Sequence, residues 1–291
     1  MAQQLIDCAG GAERPARTGA RHESHELFIR LLRTESRRAR RSWSSLVGLG
    51  IVALPTAQAL TQVSSNRLWD NFDLFTLMMS DWLPLLFPLL VTALYLPRFA
   101  GELSHGFIRP VRPRTPIGTF LDSRIATAAL LAFGVFFVAV AIAALVAFVG
   151  NAGHAITPLT PPGAGETPHP VSGRTTFSPL YSISPALYGV AMATWIGANA
   201  ALWSVVGGLC LLLVGNRFLA LAAPTVLFMV LQVAIAYAGF DAFILTGSIF
   251  QSNIVQQPAW YPFVQFAGVG LVVALAYAWV RRRRYETSGV E

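Results

Sequence analysis

The chain has no lysine: all 21 of its lysine-plus-arginine residues are arginine. An ATP-binding P-loop requires a lysine that reaches the nucleotide phosphates, so that class of ATPase is excluded for this chain. The patterns HExxH, CxxC and GxSxG are also missing, and the two cysteines, Cys8 and Cys210, lie far apart. We therefore expect no disulfide framework and no enzyme built on these zinc, thiol or serine motifs.

Charged residues of both signs are scarce, at 12% of the chain against about 25% in a soluble domain. Hydrophobic residues make up 54% of the 291 residues. This length accommodates one membrane domain and leaves no room for a second large soluble domain. The composition therefore predicts a membrane protein.

Ionisable residues are almost missing from the long apolar segments as well. All five histidines lie outside these segments, and Asp81 and Asp241 lie at or near their edges. Intramembrane metalloproteases and rhomboid-type serine proteases need a histidine within the bilayer, and ion-coupled carriers usually need a buried charged group. These absences argue against all three classes, although a sodium site built from carbonyls and hydroxyls would remain possible for a carrier.

Six apolar segments are each long enough to cross a bilayer. We place them at Ser44–Thr61, Leu74–Leu96, Ile125–Val149, Leu187–Val214, Phe218–Gly239 and Trp260–Val280. The second segment contains Asp81, Pro84 and Pro88 in its first half, which predicts a broken or interfacial start. The sequence thus predicts an all-α polytopic membrane protein with a six-helix transmembrane domain over residues 43–281.

The segments outside the spans differ in character. Residues 1–21 have the composition of a disordered tail, and residues 22–42 have the pattern of a basic amphipathic helix lying on the membrane surface. The outer loop 150–186 is rich in proline, glycine and threonine and cannot bury a core, apart from a helical turn expected near Ser178–Ser184. The loop 240–259 is more apolar, and we expect a short interfacial helix or re-entrant piece there.

Arginine placement predicts the orientation of the spans. If the N-terminus is cytoplasmic, 19 of the 21 arginines lie on the cytoplasmic side, and only Arg67 and Arg174 lie outside. Both termini are then cytoplasmic, and residues 282–291 form a cytoplasmic tail. The run Arg281–Arg284 directly follows a span, so we interpret it as a membrane anchor and expect no nucleic-acid partner.

A few polar residues fall within the apolar segments. Trp195, Asn199 and Trp203 follow each other at intervals of four and share one helix face, while Ala193, Gly197 and Ala201 form a stripe of small residues beside it. Two interpretations are open for such polar residues. They hold neighbouring helices together through hydrogen bonds, or they contact a substrate.

The layout resembles the permease subunit of an ABC-2-type exporter. The shared features are a cytoplasmic amphipathic helix, six spans, cytoplasmic termini and a main inner loop between spans two and three, here 98–124. Within this loop Glu102, Gly106 and Pro116 match residue types common in the family, and the turn from Gly215 to Ala220 looks like its tight inner turn. The chain departs from the family at Pro110 and Pro113, and at Asp122–Arg124 where Gly-Lys is common.

The resemblance implies that transport and ATP hydrolysis are carried out by different chains. This subunit would have no catalytic, metal or cofactor site of its own, and ATP and Mg would bind to two copies of a separate ATP-binding subunit. A second permease, identical or homologous, and the lipids of a bacterial cytoplasmic membrane would complete the assembly. The transported substrate would be hydrophobic or amphipathic, such as a drug, an antimicrobial peptide or a lipid-like molecule.

The resemblance also implies functional residues in two groups. The inner loop would be a coupling loop that docks on the ATPase through Glu102, His105, Phe107, Arg109, Arg112 and Arg114. The translocation path would be lined by Gln58, Gln232 and Tyr237, and we add Asn199 from its polar helix face. The alternative to docking is that the loop arginines only set topology and touch lipid phosphates. The alternative function is a six-span membrane enzyme or secondary transporter without an ATPase partner.

Overall fold

The computed structural model describes residues 43–62, 68, 70–80, 82–104, 117–150, 173–251 and 257–288, together with Ile29 and Thr34. These residues are mostly helical and contain no strand. The predicted tail 1–21, nearly all of the predicted amphipathic helix 22–42, and most of the outer loop lie outside the described residues.

The described chain forms nine α-helices, six of which are long. In chain order they are α1 (Trp43–Gln62), α2 (Asn71–Met79), α3 (Trp82–Ser104), α4 (Ile117–Leu145), α5 (Ser178–Ile183), α6 (Pro185–Leu213), α7 (Arg217–Tyr237), α8 (Leu245–Phe250) and α9 (Trp260–Ser288). A π-helical turn, Val146–Gly150, extends α4, and a 3₁₀ turn, Asp241–Phe243, precedes α8. The helical turn expected in the outer loop is confirmed as α5.

Five of these helices, α3, α4, α6, α7 and α9, are long and apolar enough to cross a membrane. Helix α1 contributes a shorter apolar stretch, Ser44–Ala59. The predicted all-helical membrane fold is therefore confirmed for the described residues, with five candidate spans and a shorter apolar helix. A span at the first predicted segment, Ser44–Thr61, and the cytoplasmic termini stay predictions.

The broken start predicted for the second span is confirmed. Helix α2 ends at Met79, the backbone is extended at Ser80, and a new helix starts at Trp82. Pro84 lies in the first turn of α3, where its missing N–H would have no helical partner in any case. The break thus turns the first part of the predicted span into the separate short helix α2.

The predicted start of the third span was wrong, because helix α4 begins at Ile117 rather than Ile125. Helix α3 likewise continues to Ser104. Residues 98–104 and 117–124 of the predicted inner loop are therefore helical, and Arg124 lies within a helix two turns after its start.

Helix α6 packs against α3, α4, α7 and α9, while α1 lies against α3 and α4. Glycines allow α6 to approach α4 closely. A Cβ atom built on Gly197 would lie 3.1 Å from the backbone oxygen of Phe133, and one on Gly189 would lie 2.8 Å from the Cβ of Ala144. These contacts support the interpretation of the small-residue stripe as a packing surface. Helices α7 and α9 keep most of their apolar side chains at the exterior.

The long helices alternate in direction, so the bundle has two distinct ends. One end of the bundle, which we call the arginine-rich end, contains the last turn of α3 and the first turns of α4. Its apolar cluster comprises Tyr95, Leu96, Phe99, Ala100, Phe120, Leu121, Ala128, Leu211 and Ala220. The other end of the bundle, which we call the short-helix end, contains the short helices α2, α5 and α8.

The short-helix end is closed by aromatic packing and an ion-pair cluster. Five rings pack on one another with centroid separations of 5.3–6.2 Å, those of Phe72, Phe75, Phe148, Tyr181 and Tyr188. Beside them, Arg174 pairs with Asp70 at 3.1 Å and with Asp73 at 2.5 Å. Burial, and then the Asp70 carboxylate, raise the pKa of Tyr181. These contacts hold the chain entering α5 against α2.

Candidate functional site

The arginine-rich end contains a buried ion pair between neighbouring helices. The guanidinium of Arg124 on α4 lies 2.8 Å from the carboxylate of Glu102 on α3, with Arg124 only 2% exposed. Arg124 also donates a hydrogen bond to the hydroxyl of Tyr95 at 3.1 Å. A buried guanidinium needs such partners, because an isolated charge is costly in an apolar interior. The contacts therefore connect the end of α3 to the start of α4.

Two further contacts surround this pair. Arg98 lies four residues before Glu102, one turn earlier on α3, and contacts its carboxylate at 3.4 Å. The ring of Phe120 lies 4.9 Å from the guanidinium carbon of Arg124, in cation–π contact. Glu102 thus lies between two arginines, and Arg124 is covered by an aromatic ring.

A second polar contact connects α4 to α9. The hydroxyl of Tyr277 donates a hydrogen bond to the carboxylate of Asp122, two residues before Arg124. Both side chains are half-buried. Together, the ion pair and this hydrogen bond join three helices at one end of the bundle; we call these residues (Tyr95, Arg98, Glu102, Asp122, Arg124 and Tyr277) the helix-end network.

The helix-end network can couple movements of helices, and it does not have the composition of a metal centre. Within the described ranges, no group of three or more His, Cys, Asp or Glu residues is arranged to hold a metal ion. The segment 105–116 connects α3 to α4, and the ion pair joins the two helices that border this segment. A force applied to the segment would therefore reach both helices.

Of the predicted docking residues, Glu102 is the only one within the described part of the chain, and it belongs to the helix-end network. His105, Phe107, Arg109, Arg112 and Arg114 lie outside the described residues. Their role in docking stays a prediction.

Two of the predicted path residues make hydrogen bonds to the backbone. Gln58 is buried, and its amide nitrogen donates to the carbonyl oxygens of Leu77, at 2.9 Å, and Ser80, at 2.7 Å. This contact caps the end of α2. Asn199 is buried and donates to the carbonyl oxygen of Trp195 on its own helix at 3.0 Å.

The other two path residues lie on α7. The amide oxygen of Gln232 is buried and has no hydrogen-bond partner among the described residues. Tyr237, at the end of the same helix, is 90% exposed. Gln58 and Asn199 thus bond to different elements, and the role of all four predicted path residues in transport stays a prediction.

Sequence reasoning missed five members of the helix-end network. Tyr95 and Tyr277 were treated as ordinary span residues, and Arg98, Asp122 and Arg124 as loop residues without a site role. One signal could have indicated the ion pair: Glu102 and Arg124 have opposite charges and lie near the two borders of the same loop. Hydropathy alone places a polar Asp-Ser-Arg triplet outside a span, although a paired arginine is tolerated inside one.

A Tyr277→Phe substitution tests the contact between α4 and α9. Loss of the phenol leaves the Asp122 carboxylate without this donor, and we expect a loss of about 1 kcal/mol in the free energy of unfolding. The matched control is Tyr237→Phe, whose exposed hydroxyl should contribute less than about 0.5 kcal/mol. Equilibrium unfolding in mixed micelles would measure both, and equal losses would contradict the contact.

The helices and their buried charged network define a class: a multi-pass helical membrane protein with five helices long enough to span a bilayer. No family model matches the chain, and no curated protein or solved structure does so either.

Proposed function

We propose that this chain is the membrane-spanning permease subunit of an ABC exporter of the ABC-2 type. It would move a hydrophobic or amphipathic molecule out of the cytoplasm or inner leaflet of a bacterial cytoplasmic membrane. ATP and Mg would bind to two copies of a separate ATP-binding subunit, and a second permease would complete the transporter. Both termini and the segment 105–116 would face the cytoplasm, as the arginine distribution favours.

The observation that supports this proposal best is the ion pair between Glu102 and Arg124, at 2.8 Å. An exporter driven by a separate ATPase needs a connection that carries movement from the docking loop into the spans. The ion pair links the helices on both sides of that loop, and the hydrogen bond from Tyr277 to Asp122 extends the link to α9. Closure of the ATPase subunits would therefore move three helices together.

The proposed substrate class follows from where the charges lie. The ion pairs around Arg124 and around Arg174 lie at the two ends of the bundle. The helix surfaces between these ends are lined mainly by apolar and weakly polar side chains. A strongly charged substrate would meet no countercharge there, whereas an amphipathic molecule would not need one.

A secondary transporter is the second candidate, and the same ion pair favours it. Buried Arg–Glu pairs within membrane helices are typical of groups that bind or release a coupling ion. In that case Glu102 and Arg124 would change partners during transport rather than remain a mechanical link. The two candidates differ in whether an ATPase accompanies the chain.

Purification from native membranes in mild detergent, with a C-terminal affinity tag, separates the candidates. Co-purification of a subunit carrying a P-loop, with vanadate-sensitive ATP hydrolysis, would support the exporter. Recovery of the chain without any ATPase in several mild detergents would overturn the exporter proposal and favour the secondary transporter.

Changes at the loop should alter hydrolysis in the purified complex. We expect Glu102→Gln, and separately the double change Arg112→Ala/Arg114→Ala, to lower substrate-stimulated ATPase activity, while membrane insertion is retained. The matched control is Asp241→Asn, an exposed acid at the short-helix end, which should leave hydrolysis unchanged. Wild-type ATPase activity and complex recovery in both loop variants would show that the loop does not couple the subunits.

A further inference from the structure

Helix α8 is a short helix packed inside the short-helix end of the bundle. It contacts α3, α6, α7 and α9, and Leu245, Ser248, Ile249 and Phe250 are each at most 3% exposed. The ring of Phe250 packs on Phe87 of α3 at a centroid distance of 5.4 Å. A helix that ends within a bundle must satisfy the polar backbone groups of its last turn inside the protein. Each polar group around the end of α8 is therefore expected to have a hydrogen-bond partner.

Two side chains converge on one backbone carbonyl at this point. The indole nitrogen of Trp195 donates to the carbonyl oxygen of Ser248 at 3.0 Å, and the amide nitrogen of Gln251 donates to the same oxygen at 2.7 Å. Gln251 has a left-handed backbone, with φ of 54°. Such a conformation is uncommon outside glycine and occurs often at functional sites. The contacts hold α8 against α6 and fix the direction of the Gln251 side chain.

Two polar atoms in this cluster have no partner in the described structure. They are the hydroxyl oxygen of Ser248 and the amide oxygen of Gln251, and both residues are 2% exposed. The amide of Gln251 cannot be reversed without loss of its bond, because the Ser248 carbonyl only accepts. The amide oxygen is therefore left as an acceptor without a partner, three residues along the chain from the unpartnered Ser248 hydroxyl, although buried polar groups are normally satisfied.

The surroundings of these two acceptors are aromatic. The ring of Trp195 packs on Phe263 at 4.9 Å, Phe266 at 5.4 Å and Phe177 at 5.9 Å. Phe263 belongs to α9 and is half exposed at the exterior of the bundle. The ring of Trp195 is thus separated from the exterior of the bundle by a single aromatic side chain, Phe263.

We propose that Ser248, Gln251 and Trp195 form a binding site for a neutral molecule with an apolar, ring-containing body and one hydrogen-bond donor, a hydroxyl or an amide N–H. The donor would bond to the amide oxygen of Gln251 and the hydroxyl of Ser248, and the ring would pack beside Trp195. None of the three residues carries a charge, so the site has no counterion for a cation or an anion. The assignment of this site to the transported molecule rests on the proposed exporter function, whereas the proposal that the site binds such a molecule does not.

The probes that test the site are 4-nonylphenol and 4-nonylanisole, which share ring and alkyl chain and differ in the O–H donor. The full chain would be reconstituted in lipid nanodiscs, and its thermal unfolding followed at equal mole fractions of each probe in the lipid. We expect 4-nonylphenol to raise the unfolding temperature by about 2–4 °C more than 4-nonylanisole does, since the ligand binds only the folded state.

The variants Gln251→Met and Ser248→Ala should each reduce the difference between the probes to less than half. Their matched controls, Gln257→Met near the start of α9 and Ser182→Ala on the exposed side of α5, should retain it. Equal shifts by both probes in the wild type would overturn the site, because only partition into lipid would then be observed. An undiminished difference in both variants would overturn the assignment to these residues.

The two proposals can fail separately in these experiments. The thermal assay contains no ATPase, so a negative result removes the binding site and leaves the exporter proposal in place. A chain that purifies without an ATPase removes the exporter proposal and leaves the binding site in place.

Discussion

An Arg124→Leu substitution is expected to lower the free energy of unfolding by roughly 2–4 kcal/mol. It removes the guanidinium that pairs with Glu102 and bonds to Tyr95. Removal of one partner of a buried ion pair costs about 3–5 kcal/mol, because the other charge is left uncompensated. Glu102 keeps 22% of its side chain exposed and retains its contact with Arg98, so both solvent and Arg98 reduce that cost.

Two variants make this prediction specific to the ion pair. Arg98→Gln removes the more exposed contact to the same carboxylate and should cost less than about 1 kcal/mol. The double variant Glu102→Gln/Arg124→Leu should be more stable than Arg124→Leu alone, because no charge is stranded. If Arg124→Leu destabilised the protein no more than Arg98→Gln does, the buried pair would not hold the helices together.

A Phe87→Ala substitution is expected to have an effect of similar size, by a different mechanism. Phe87 is fully buried, and its ring contacts Phe136, Phe228 and Phe250 at centroid distances of 5.2, 6.4 and 5.4 Å. It therefore joins α3 to α4, α7 and α8. Phenylalanine-to-alanine changes in soluble cores cost about 3–5 kcal/mol. We expect the lower end, because packing rather than transfer from water drives helix association in lipid.

The matched control for Phe87→Ala lies close by on the same helix. Trp82 is 58% exposed at the start of α3, so Trp82→Ala removes a larger side chain without opening an internal cavity. Its cost should stay below about 1 kcal/mol. Equilibrium unfolding in mixed micelles would compare the two, and a larger loss for Trp82→Ala would contradict the packing described for Phe87.

The two ends of the bundle are stabilised by polar networks of different kinds. At the arginine-rich end the polar contacts of the helix-end network join long helices to one another, as between Arg124 and Glu102. At the short-helix end they join short helices to their neighbours, as between Arg174 and Asp70. Substitutions at the arginine-rich end should therefore displace long helices, whereas substitutions at the short-helix end should loosen only the short helices.

The long helices could be predicted from the sequence wherever an apolar run is uninterrupted. The span predicted at Leu187–Val214 is helix α6, Pro185–Leu213, because length and hydropathy leave a bilayer-crossing helix as the stable form. The predicted boundary was wrong where polar residues continue a helix, since α4 starts eight residues before Ile125. The break predicted in the first half of the second segment is confirmed, and α3 starts after it, at Trp82.

The candidate sites were harder to predict, since their residues lie far apart in the chain. Glu102 was selected from a family resemblance, but its partner Arg124 was assigned to a loop. The contact between Asp122 and Tyr277 spans 155 residues, and that between Trp195 and Ser248 spans 53. No pattern of spacing predicts which of several polar residues will meet across such distances.

The sequence by itself determined that this protein is helical and suited to a membrane, because apolar length and the scarcity of charge leave few other stable forms for the backbone. It also determined where the arginines concentrate. Only the tertiary structure decided that Arg124 is buried against Glu102, that α8 folds into the bundle, and that Gln251 retains a free acceptor there. The reason is physical: hydropathy acts along the chain, whereas the pairing of buried polar groups depends on which helices pack together.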